Sequence, residues 1–70
     1  MIVAQLIQVL SKLPLNMECV LQIDSEGNAC NPLVGAEIGY YDSEQYDYWN
    51  DEDLEEDEKE LFEKVIILYP

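Results

Sequence analysis

The sequence predicts an α+β fold: an N-terminal helix packed on a three-stranded, mostly antiparallel sheet, with an acidic helix inserted before the last strand. Three observations predict it. Val3, Leu6, Ile7, Leu10 and Leu13 recur at helical spacing. Met17, Cys19, Leu21 and Ile23 alternate with Glu18, Val20 and Gln22, as in a strand with one buried face. The chain closes on the apolar run Val65, Ile66, Ile67, Leu68 and Tyr69, which suits a strand shielded on both faces.

Taken in order, the first helix spans about residues 2–12, with Gln5, Gln8 and Lys12 on its polar side and Pro14 to end it. The strand at residues 17–23 is expected to turn its Met17, Cys19, Leu21 and Ile23 face onto that helix. Asp24, Ser25, Glu26, Gly27 and Asn28 have turn chemistry, which predicts a hairpin into a second strand at residues 33–41. Gly35 and Gly39 weaken that strand and mark a bulge or a close backbone approach. Residues 42–50 read as a mixed acidic and aromatic loop leading to a helix cap at Asn50 or Asp51.

Seventy residues allow one domain, here 1–70, with an acidic insert at about 42–63 and a small core. The formal charge is −13, from sixteen carboxylates against three lysines, and twelve of the carboxylates follow residue 41. A surface of that sign repels nucleic acid and anionic lipid, so a partner recognised through it is expected to be basic. Self-repulsion is the cost, and added salt is expected to raise the melting temperature by screening it.

Nine of the thirteen residues at 51–63 are acidic. As one helix they would span about 20 Å, or roughly one negative charge per 2.2 Å of axis. Duplex DNA carries about one per 1.7 Å. Leu54, Leu61 and Phe62 supply only a thin apolar side, which Glu58 interrupts, and Glu60 and Glu63 oppose the helix dipole. Such a helix would depend on packing against the sheet.

The chain has no histidine, no glycine-rich phosphate loop and no CxxC pair, which argues against nucleophilic catalysis and predicts a protein that is not an enzyme and takes no cofactor or metal. Crowded carboxylates on a solvated face single out no acid and base pair. Cys19 and Cys30 are expected to be free thiols, with Cys19 filling the core. The start lacks a basic leader and its apolar positions are interrupted, which predicts neither a signal peptide nor a membrane span and a cytoplasmic location. Tyr40, Tyr41, Tyr46, Tyr48 and Trp49 crowd into ten residues beside the densest acid, where rings serve either as sheet cover or as contact anchors.

The segments Val3-Ala4-Gln5-Leu6-Ile7, Leu10-Ser11-Lys12-Leu13-Pro14, Glu18-Cys19-Val20-Leu21-Gln22-Ile23-Asp24 and Val65-Ile66-Ile67-Leu68-Tyr69-Pro70 resemble small uncharacterised proteins of bacteriophage genomes. The resemblance implies an α+β core and no activity. Ile2 departs from it, standing where a Thr or Ser helix cap is usual, as does the long acidic segment at 42–63. By size and charge, though by no motif, the chain is also similar to phage DNA mimics that inhibit restriction enzymes, CRISPR complexes or repair enzymes.

The expected function is inhibition of a basic, nucleic-acid-binding host defence protein inside the infected bacterium. Glu52, Asp53, Glu55, Glu56, Glu60 and Glu63 would supply charge, with Asp47 extending the surface and Tyr48 and Trp49 anchoring the contact. Direct binding to nucleic acid or membrane is not expected. The rivals are an assembly module, such as a homodimer joined through a sheet edge, whose acidity serves solubility, and an allosteric inhibitor that binds through its aromatics.

Overall fold

The computed structural model describes residues 1–23 and 25–70; Asp24, the first residue of the expected turn, lies outside them. Its elements are α1 (Val3–Ser11), β1 (Cys19–Leu21), β2 (Gly35–Asp42), β3 (Asp47–Asn50), a 3-10 turn (Asp51–Asp53), α2 (Glu56–Lys59) and β4 (Glu63–Tyr69). The four strands form one mixed sheet in the order β1-β4-β2-β3.

The apolar run at the C-terminal end takes the interior position that its composition predicts. β4 pairs in parallel with β1, Val20 opposite Ile67, and antiparallel with β2, Ile38 opposite Ile66. Both edges of β4 are therefore satisfied, and Val65, Ile66 and Ile67 retain 0%, 2% and 1% of their surface. Together with Tyr40, at 7%, they are the buried apolar side chains among the described residues.

Four expectations are corrected. The sheet has four strands, because residues 47–50 form a strand rather than a loop: β2 runs on to Asp42 and turns into β3, with Tyr41 opposite Tyr48 and Tyr40 opposite Trp49. Aromatic residues such as Tyr48 and Trp49 favour a pleated, half-buried surface. Second, no hairpin joins β1 to β2, since β4 lies between them. Residues 22 and 34 instead both meet the end of β4, where the Gln22 N–H donates to Leu68 O (2.8 Å) and the Val34 N–H to Tyr69 O (3.0 Å).

Third, β1 has the opposite phase. Cys19, Leu21 and Ile23 are exposed, the last two at 72% and 83%, while Val20 and Gln22 are half-buried. Cys19 is thus a free, exposed thiol and not core filling, as is Cys30. Fourth, residues 51–63 do not form one helix. Leu54 is extended (φ −117°, ψ 141°) between the 3-10 turn and the four-residue α2. Geometry explains the break. Asn50 pairs with Gly39 on one side of β2 and Glu63 with Tyr41 on the other, so the segment must close a gap of about 12 Å, two strand spacings across and two residues along. A straight helix of about 20 Å overshoots it.

The helix α1 ends at Ser11, before Pro14, as expected, but its apolar stripe is rotated. Leu6, Val9, Leu10 and Leu13 are half-buried, whereas Val3 and Ile7 are exposed. No residue of α1 is buried. It adjoins β2, and the N-terminal ammonium donates to Leu33 O at 3.2 Å. Ile2 supplies no side-chain cap; the Gln5 side chain caps in its place, accepting the Ile2 N–H at 3.0 Å.

Gly39 marks a close approach and not a bulge, because the pairing register of β2 is regular on both sides. A Cβ there would lie 2.9 Å from the Trp49 carbonyl oxygen and collide with the Ile67 side chain. Ile67 leans into the space that the missing side chain leaves.

Candidate functional site

Register divides the sheet into two faces. Ile67, Val65, Gly39, Tyr41 and Tyr48 stand on one, with Glu37 and Glu63; Ile66, Ile38, Tyr40, Lys64 and Trp49 stand on the other. The acidic segment is fastened at the second face. The Trp49 and Phe62 rings stack at 4.4 Å between centroids and 28° between planes. Lys59 Nζ lies 5.9 Å from the centre of the Tyr40 ring, within cation–π range.

Lys59 also holds Asp51 Oδ1 and Glu56 Oε1, each at 3.2 Å, and its side chain is 16% exposed. The Tyr40 hydroxyl donates to Asp51 Oδ1 through a long bond of 3.4 Å. Hydrogen bonding to Asp51, then to Glu56, raises the Lys59 pKa above its ordinary value against a smaller opposing effect of burial. One lysine thus ties the 3-10 turn to α2 within a segment whose remaining charges repel.

The predicted contact residues are distributed as follows. Glu52 and Asp53 lie on the exposed 3-10 turn. Glu55 precedes α2, where its N–H donates to Glu58 Oε1 at 3.1 Å, and Glu60 follows α2. Glu56 is in α2 with a side chain 93% exposed, and Glu63 opens β4 opposite Tyr41. All six are exposed. Asp47 opens β3 opposite Asp42; its Oδ1 accepts the Tyr48 N–H at 2.8 Å. Tyr48, at 37% exposure, and Trp49 point to opposite faces of β3, so they cannot anchor a single contact side by side. Trp49 is half-buried on Phe62, which makes it cover for the sheet.

The sequence leaves Tyr41 and Tyr46 between sheet cover and contact anchor and does not place them among the expected contact residues. The hairpin turn is shaped by Asp42, whose Oδ1 accepts the N–H groups of Glu44 (2.9 Å) and Gln45 (3.4 Å). It leaves Tyr46 in the left-handed region (φ 55°) and 84% exposed. Tyr41, Tyr46 and Tyr48 then wall an open groove of about 600 Å³, whose apolar lining includes Val20, Ile23 and Ile67. Tyrosines flanking a turn at this spacing were the available signal, but it is readable only once 47–50 is known to be a strand.

Among the described residues no cluster of His, Cys, Asp and Glu could hold a metal ion, and no helix is long and apolar enough to cross a membrane. Compared with protein-family models, with curated proteins and with solved structures, the chain matches none.

Proposed function

We propose that this protein binds a basic, nucleic-acid-binding protein, and that it does so as a phage-encoded inhibitor of a bacterial defence component. The observation that carries the reading is the display of residues 51–63. All nine carboxylates are exposed, and Lys59 is the one cation within the segment. They are fastened to the sheet by contacts that consume few of them: the Trp49–Phe62 stack and the Lys59 clamp, which uses Asp51 and Glu56.

The broken helix changes the basis of the likeness to nucleic acid. Charge does not climb a rod at a fixed rise; it is presented on two short turns and the start of β4. What remains shared with a phosphate backbone is the sign of the charge and its crowding, nine carboxylates within thirteen residues. A protein that grips phosphates with Lys and Arg could exchange them for carboxylates through charge-assisted hydrogen bonds, with steep salt dependence. The partner-binding residues are Glu52, Asp53, Glu55, Glu56, Glu60 and Glu63, with Asp47 and Tyr48 at the margin. The role is one of binding and blocking, with no catalytic step.

A tagged pull-down from bacterial lysate, eluted by a salt step and repeated with duplex DNA as competitor, tests this reading. The expected result is a nucleic-acid-binding protein released by salt and displaced by DNA. A partner indifferent to both would refute it. One observation favours the rival assembly module: Val3 and Ile7, one turn apart on α1, are 74% and 61% exposed, and Ile2 just before the helix is 66% exposed. Sedimentation at moderate salt, where self-repulsion is screened, separates the two readings. The inhibitor is expected to stay monomeric, and a stable dimer would favour assembly.

A further inference from the structure

We propose that the tyrosine-walled groove is a second contact site, one that seats a long basic side chain, Lys or Arg, carried on an extended segment of the protein partner. The inference deepens the function proposed above and rests on it for the partner's basic character. Three independent features lead to it.

The first is composition. Tyr41, Tyr46 and Tyr48 present ring surface over an apolar floor at Val20 and Ile67. An aliphatic stem can lie on such a floor while its charged end meets ring faces and carboxylates. Asp47 lines the groove, and the exposed Glu63 stands opposite Tyr41 on the same face. The basic residue of the sheet, Lys64, is on the other face opposite Tyr40, where Lys59 also sits. The groove face therefore offers negative charge and π surface with no cation of its own strands to compete.

The second is Tyr46. A bulky residue at φ 55° is held against its backbone preference, and Gly or Asn would fit that position better. The residue is 84% exposed, so no packing within the chain accounts for it.

The third is the edge beside the groove. Glu18 O accepts from Ile66 N–H (2.8 Å) and the Gln22 N–H donates to Leu68 O (2.8 Å), so even-numbered residues of β1 turn their backbone groups toward β4. The backbone groups of Cys19 and Leu21 consequently face outward on an edge that bears no lysine or proline to block pairing. An added strand would satisfy them and carry alternate side chains over the groove.

The test uses the full chain, reduced, in about 150 mM salt so that unspecific attraction is screened. Two peptides are titrated by NMR: acetyl-Val-Arg-Val-Arg-Val-amide and its citrulline counterpart, which keeps shape and loses charge. The arginine peptide is expected to shift the Tyr41 and Tyr48 ring signals and the Val20 and Ile67 methyls, and to bind at least about fivefold more tightly than the citrulline peptide. Tyr46→Asn is expected to weaken binding about fivefold while leaving the melting temperature equal or higher. A triple variant, Glu52→Lys, Asp53→Lys and Glu60→Lys, which leaves the Lys59 clamp intact, should keep the same groove shifts.

Shifts confined to residues 51–60, equal response to both peptides, or indifference to Tyr46→Asn would overturn the proposal. Its fate is separable from the acidic-surface reading. A DNA-competed partner captured without peptide shifts in the groove defeats the groove alone, whereas groove shifts without such a partner defeat only the acidic surface.

Discussion

In β4, Val65, Ile66 and Ile67 keep at most 2% of their surface and are paired on both edges, whereas none of residues 51–62, immediately before them, is buried. The two regions adjoin in the chain and depend on different physics. β4 is held by backbone pairing and apolar burial, which salt and charge substitution barely touch. The segment before it is held by one ring stack and one lysine, against the repulsion of eight carboxylates. The fold and the charge display therefore rest on different contacts, and charge changes at residues 51–63 outside the Lys59 clamp are expected to leave the sheet intact.

The largest effect that sharpens the contrast is expected from Ile66→Ala. Removing a buried Ile side chain at the sheet centre costs about 3 kcal/mol, a large share of the roughly 5 kcal/mol available to a domain this small. Chemical denaturation should show a much lower midpoint or no cooperative transition. An intermediate effect is expected from Phe62→Ala, which removes the Trp49 stack along with partly buried ring area. A loss of about 1–2 kcal/mol is reasonable for such a pair, and hydrogen exchange should rise in residues 51–62 while β4 stays protected. Equal deprotection of both would break the claim of separability.

The smallest effect concerns Lys59. Its pKa is raised in the folded chain by Asp51 and Glu56. The clamp therefore contributes fully below the ordinary lysine range, and its contribution fades as pH rises through the higher folded value. Trp49 fluorescence should accordingly be steady from neutral pH to about 10 and change only above the usual lysine pKa. Lys59→Met should remove that alkaline step and lower the melting temperature by a few degrees at most. An alkaline step unaltered in the variant would mean that Lys59 does not hold the segment.

Which parts of this arrangement were legible in the sequence follows from the range of the forces involved. α1 was legible because Leu6, Leu10 and Leu13 repeat locally and Pro14 stops the helix; β4 was legible because its apolar run admits few environments. The phase of β1 was not. Met17, Cys19, Leu21 and Ile23 make the more apolar face, yet the parallel pairing of Val20 with Ile67 decides which side is covered, and that contact spans most of the chain. The acidic helix failed for a similar reason. Propensity favours helix at residues 51–63, but the positions of Asn50 and Glu63 on either side of β2 set the distance the segment must close. At the candidate surface, exposure of Glu52, Asp53, Glu55, Glu56, Glu60 and Glu63 matched expectation. The opposite facing of Tyr48 and Trp49, and the use of Lys59 as a clamp, required the strand register.

The most direct test of the central claim, that the acidic surface binds and is separable from the sheet that carries it, is capture of the DNA-displaceable partner by the Glu52→Lys, Asp53→Lys, Glu60→Lys variant at low salt, with its melting curve recorded alongside. The account predicts that capture is lost while the melting temperature stays equal or rises as repulsion is relieved. Capture undiminished in the folded variant would contradict it.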